Sequence, residues 1–116
     1  MAVLVDQEKI IDEAEPETIL TSLFGRSPAV RLIDFFLDHP LNDFMQKEIA
    51  ERVGMNKRTI SKNLPSLLDN GVISMTRTIG KAKLFKLNGK SPIIQKIRDL
   101  ERTASLEAAQ KELTFE

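Results

Sequence analysis

The sequence contains no cysteine and a single histidine, His39. Disulfides, thiolate metal sites, zinc fingers, cysteine nucleophiles and thiol redox sensing are thereby excluded. No apolar run approaches the roughly 18 residues that a membrane span requires, so no membrane partner is expected. The opening Met1-Ala2-Val3-Leu4-Val5 runs straight into Asp6, Glu8, Asp12 and Glu13, without the basic start and long apolar core of a secretory signal, and a cytoplasmic location follows. A phosphate-cradling glycine loop, a cluster of metal ligands and a nucleophile paired with histidine are all missing, so neither an enzyme nor a cofactor is expected. Internal repeats and low-complexity tracts are absent as well.

What is present is enough for one modest core. With 116 residues, 41% hydrophobic and 29% charged, the chain has the balance of a single globular domain with extensions and is too short for two. Its net charge of zero conceals a segregation. Residues 45–90 hold ten lysines and arginines against Glu48, Glu51 and Asp69, an excess of seven positive charges, whereas residues 1–44 have an excess of six negative charges and residues 91–116 of one. An internal basic block of this kind is the electrostatic footprint of a polyanionic partner. A solvated lysine-rich surface is the competing explanation. The two separate on whether the bases share particular faces.

Residues 1–16 have no decisive pattern: a short helix carrying Ile10 and Ile11, a swapped strand and a mobile arm all fit. From Glu17, the apolar residues Ile19, Leu20, Leu23 and Phe24 recur at helical spacing until Gly25. Ser27-Pro28 then places a capping hydroxyl before a proline at the first helical position, and Ala29, Leu32, Ile33, Phe36 and Leu37 form an apolar stripe through Asp38. His39 stands where that helix ends ahead of Pro40, and capping is its expected role. After a short connection at Leu41-Asn42-Asp43, Met45 to Val53 reads as a helix with Ile49, Ala50 and Val53 facing inward, stopped by Gly54.

Asn56 is a good N-cap for the next helix, whose inward stripe is Ile60, Leu64, Leu67 and Leu68 and whose stop is Asn70-Gly71. Lys57, Arg58, Ser61 and Lys62 fall on the opposite side, all within the first two turns. Pro65 removes a backbone donor and predicts a kink beyond those turns. Val72 to Thr78 and Lys83 to Leu87 read as two strands of a hairpin with Ile79-Gly80-Lys81-Ala82 as its basic tip. Ser91-Pro92 repeats the cap-then-proline start and launches a helix to Leu113 with an apolar seam of Ile93, Ile94, Ile97, Leu100, Ala104 and Ala108.

The stretch Gln46-Lys47-Glu48-Ile49-Ala50-Glu51-Arg52-Val53-Gly54-Met55-Asn56-Lys57-Arg58-Thr59-Ile60-Ser61-Lys62 resembles the helix-turn-helix of bacterial and archaeal winged-helix transcriptional regulators. Ala50 lets two helices cross closely, Gly54 makes the turn, and Met55 and Ile60 plug the corner, so each residue suits its place on packing grounds alone. The likeness continues through Leu67-Leu68-Asp69-Asn70-Gly71-Val72-Ile73 and covers about Ser27 to Leu87. Two positions depart from the pattern. Met45 stands where a capping hydroxyl is usual ahead of Glu48, leaving Asp43 as the candidate cap, and Asn63 occupies a position that is often apolar.

The resemblance implies a mostly α fold with a small β-hairpin wing, an α+β winged helix-turn-helix over residues 27–88. An N-terminal extension with a short helix (1–26) and a long C-terminal helix (89–116) flank it. It implies binding to double-stranded DNA, with the helix at about 56–69 in the major groove and the wing at about 77–83 on phosphates. Asn56, Lys57, Arg58, Thr59, Ser61 and Lys62 are then the groove residues, with Arg58 the base reader because its fork can bond guanine twice. Lys47, Arg77, Lys81 and Lys83 would meet phosphates, and Gln46 either class. A homodimer joined through Ile93, Ile94, Ile97, Leu100 and Ala104 is expected, since paired half-sites multiply few contacts. The alternative for that helix is intramolecular packing on the Ile10 and Ile19 region. A protein-docking module and a DNA-binding partition or chromatin protein are the rival functions on the same fold. The operator and any small-molecule effector are not encoded in these features.

Overall fold

The computed structural model describes residues 17–114; the expectation for Ile10 and Ile11 lies outside the described residues. Among the described residues, five helices and three strands follow in the order α1 (Ile19–Phe24), α2 (Pro28–Asp38), β1 (Phe44–Met45), α3 (Gln46–Val53), α4 (Lys57–Asp69), β2 (Ile73–Ile79), β3 (Ala82–Leu87) and α5 (Pro92–Thr114). Among the described residues, no helix is long and apolar enough to cross a membrane.

The helix starts other than that of α3 use a side-chain hydroxyl or amide that the sequence supplies. Ser27 Oγ accepts from the Val30 amide at 3.3 Å, with Pro28 at the first helical position, and Ser91 Oγ accepts from the Ile94 amide at the same distance. At the start of α3, Asp43 is not the cap. Glu48 Oε1 instead accepts from the Met45 amide at 2.8 Å, so half of a capping box works without a hydroxyl. Gly54 closes α3 in the left-handed region at φ 70°, which a side chain would resist. His39 caps α2 through its own amide, donated to the Phe36 carbonyl, while its ring packs against both Phe35 and Phe44 at centroid distances of 4.9 and 5.6 Å.

The core lies between α2, α3 and α4 on one side and the sheet on the other. Leu32, Phe36, Ile49, Ile60 and Ile94 are its largest fully buried side chains. The sheet has three antiparallel strands in the order β1-β3-β2, one more than the hairpin reading expected. The additional strand is only two residues long, Phe44↔Phe85 and Met45↔Leu84, too short for an alternating pattern to reveal. The wing turn is tighter than expected too. Ile79 pairs with Ala82, leaving only Gly80-Lys81 as the loop, with a positive φ of 63° at Gly80. A glycine first in a two-residue loop is the type II′ arrangement that matches the twist of a hairpin.

The seam of α5 divides. Ile94 is 0% exposed and belongs to the chain's own core, Ile97 and Leu100 pack against that core, and Ile93 is 45% exposed. Packing of α5 on α1 accords with the intramolecular alternative as far as Ile19's helix is concerned.

Candidate nucleic-acid interface

Helix α4 is built to present one face. Ile60, Leu64 and Leu67 are buried beneath it, and Asn56 Oδ1 fixes its start by accepting from the Thr59 amide at 2.8 Å. Since 3.6 residues make a turn, Arg58 and Lys62 emerge on the far side, whereas Lys57 and Ser61 lie along the edge of Leu64 and Leu68 that faces the wing; all four are exposed. The helix runs unbroken through Pro65 to Asp69. Asn63, at the position often apolar, is half-buried and donates its amide to the Thr59 carbonyl at 2.8 Å. Its polarity is thereby satisfied within the helix.

The predicted groove residues fall into two groups. Lys57, Arg58 and Lys62 have no ion pair or side-chain hydrogen bond among the described residues. Asn56, by contrast, is a cap, and the Gln46 side-chain amide donates to Ser61 Oγ, joining the start of α3 to the exposed face of α4. Gln46 and Ser61 therefore position each other. Thr59 is half-buried. Arg31, which charge counting had not singled out, donates to the Val53 carbonyl and ties α2 to the end of α3. Arg52 stands 5.2 Å from the Phe44 ring centroid, so one base of the positive block faces an aromatic cluster.

The wing positions Lys81 at its turn and Lys83 on β3, both exposed. Arg77 is engaged differently. Its Nε donates to Asp43 Oδ2 at 2.9 Å and its terminal nitrogen to Oδ1 at 3.2 Å, while the Thr76 hydroxyl donates to Oδ2 at 2.6 Å. Successive residues on a regular strand point to opposite faces. The irregularity between Met75 and Arg77, where Thr76 lacks a partner on β3, lets both neighbours reach one carboxylate. Asp43 thus latches the wing to the approach of β1, a role that local sequence could not reveal across 34 residues.

Arg77 and then Thr76 hold the Asp43 carboxyl down to about 2 from an ordinary 3.8. A depressed carboxyl stabilises the fold above the ordinary value and loses that contribution as pH falls through the folded one, so the latch weakens between about pH 4 and 2. At neutral pH it occupies the guanidinium that the sequence reading assigns to phosphate. Asp43→Asn is expected to tighten binding to every duplex a few-fold at low salt, as read by titration of labelled DNA. A loss on every duplex would show instead that the tether aligns the wing.

Away from this surface, burial raises the carboxyls of Asp34 and Glu101; the Thr18 hydroxyl opposes this at Asp34, repulsion from Asp34 adds to it at Glu101, and Asp38 adds to both. Among the described residues, no group of three or more histidine and acidic side chains is arranged to hold a metal ion.

No family model matches the sequence, and no curated protein does. Solved structures do match. The antimony-specific transcriptional repressor AntR is 20% identical over 79% of this chain and 78% of its own, with a TM-score of 0.55. A Lactococcus lactis ZitR variant in complex with DNA is 20% identical over 96% and 81%, with a TM-score of 0.51. A homodimeric winged helix-turn-helix DNA-binding domain from Mycobacterium bovis, a possible ArsR-family regulator, is 20% identical over 95% and 85%, with a TM-score of 0.50. At such identities the likeness establishes the fold, and the fold is a winged helix.

Proposed function

We propose that this chain is a sequence-specific double-stranded-DNA-binding protein, a transcriptional regulator that acts as a homodimer. The observation that carries the reading is the exposed start of α4: Arg58 and Lys62 project together from the first two turns of a helix whose opposite face is buried, and Lys57 stands on the edge beside the wing. A helix end of this kind fits a major groove, and Lys81 and Lys83 on the adjoining wing suit the flanking phosphates. Arg58 is the base reader, Lys57 and Lys62 border the groove, and Lys47 meets the backbone beside α3. The ZitR variant bound to DNA and the homodimeric Mycobacterium bovis domain support the same use of this fold.

For the dimer, Ile93, Ile97, Leu100 and Ala104 recur at the alternating four-and-three spacing that lines one side of a helix, and the first three share a shallow apolar depression. Ile94 falls off that line and into the core, so cutting the chain at Gly89 would remove a core residue and cannot serve as a clean test of pairing.

Arg58→Ala is expected to cost about 1–3 kcal/mol on the preferred site and to relax preference there, whereas Lys81→Ala weakens all sequences alike. Selection from a random duplex pool supplies the site, and titration of both variants on that site and on scrambled duplex supplies the comparison. Equal losses on both duplexes for both variants would refute the assignment. A protein-docking role has one observation in its favour, the exposed Leu23 and Phe24 on α1, and it predicts no loss for either variant.

A further inference from the structure

Between α4 and the wing lies a cleft of about 720 Å³, within the range of small-molecule sites. Its floor is hydrocarbon: Leu64 and Leu68 from α4, Phe85 from β3, and Met75 from β2, which is 50% exposed. Its rim is cationic. Lys47, Lys57, Lys81 and Lys83 stand around it, and among the described residues no acidic side chain lines it. A DNA phosphate would satisfy the rim and leave the floor wet, since a phosphate group has no alkyl chain to place there. A neutral apolar molecule would cover the floor and leave the lysines unanswered.

We infer that this cleft binds an amphiphilic monoanion, an aliphatic carboxylate, with its chain on the Leu64–Leu68–Met75–Phe85 floor and its head group among the rim lysines. The inference deepens the DNA-binding reading and, for its regulatory part, rests on it. The rim includes Lys81, Lys83, Lys47 and Lys57, the same cations assigned to DNA, so the carboxylate and the duplex are mutually exclusive. Ligand that binds only the DNA-free protein lowers apparent DNA affinity in proportion to its occupancy. The site would thus make the protein release DNA when such an anion accumulates.

The test uses the full chain with methionine methyls labelled for NMR. Met45 and Met75 line the cleft, whereas Met55 lies outside its lining in the turn between α3 and α4. Decanoate, titrated below its micellar range, is expected to shift the Met45 and Met75 signals saturably, to leave Met55 in place, and to release a labelled duplex over the same concentrations. Lys81→Ala with Lys83→Ala should weaken decanoate binding by about tenfold. No saturable shift, a shift shared equally by Met55, decanol binding as tightly as decanoate, or undiminished duplex binding by the decanoate-loaded protein would each overturn the proposal. Should the unliganded protein bind no duplex at all, the DNA reading fails on its own, and the methyl titration still decides whether the cleft takes the anion.

Discussion

Between about 50 and 200 mM salt, affinity for a duplex of random sequence is expected to fall by about 10⁴-fold. On the proposed assignment, Lys47, Arg77, Lys81 and Lys83 would give four phosphate contacts in one protomer and twice that number in a homodimer. Each neutralised phosphate releases condensed counterions, and the logarithm of affinity falls with the logarithm of salt at about 0.9 per contact. A homodimer therefore has a slope of about −7, and a lone protomer about −3.6 with a loss nearer 10². The measurement is a titration by fluorescence anisotropy at four or five salt concentrations. A slope near zero would end the DNA reading, because docking through Leu23, Phe24 or the α5 seam rests on apolar contact and responds little to screening.

Ile60→Ala is expected to lower stability by about 2–5 kcal/mol, against a total that for a domain of this kind is roughly 5–15 kcal/mol. Ile60 is 0% exposed, and it joins the underside of α4 to the same core as Leu32, Phe36 and Ile49. Truncation removes buried surface and leaves a cavity that the surrounding helices only partly close. Lys62→Ala, two residues along on the opposite side, should stay within about 0.5 kcal/mol while still weakening DNA binding. Denaturant unfolding followed by far-ultraviolet circular dichroism reads both, the chain having neither tryptophan nor tyrosine. The Ile60→Ala midpoint should drop with an unchanged slope. Equal stability losses for the two variants would mean that α4 does not divide into a buried and an exposed face as described.

These expectations combine features of different origin. The stripe Ile60, Leu64 and Leu67, the caps Ser27, Asn56 and Ser91, and the Gly54 turn are all local. Each depends on spacing or on backbone preference within a few residues, and each stands where the sequence placed it. From these local facts the exposure of Arg58 and Lys62 followed, because a helix with one oily side has only one other side to offer. The winged-helix fold itself was expected from the resemblance of the Gln46–Lys62 stretch to a helix-turn-helix.

Contacts between segments distant in the chain were not legible, since composition and periodicity say nothing about which distant residues meet. Only the folded chain brings Asp43 to Thr76 and Arg77, turning a supposed helix cap into the anchor of the wing. Only it pairs Phe44 with Phe85, commits Ile94 to the core while its neighbour Ile93 stays half out, and closes a carbon-floored cleft between α4 and the wing. The sequence by itself determined which face each helix hides, a matter of period and of burying apolar surface. The tertiary structure decided which exposed charges are already partnered and what hollow they surround, because both depend on distances between elements that no local pattern encodes.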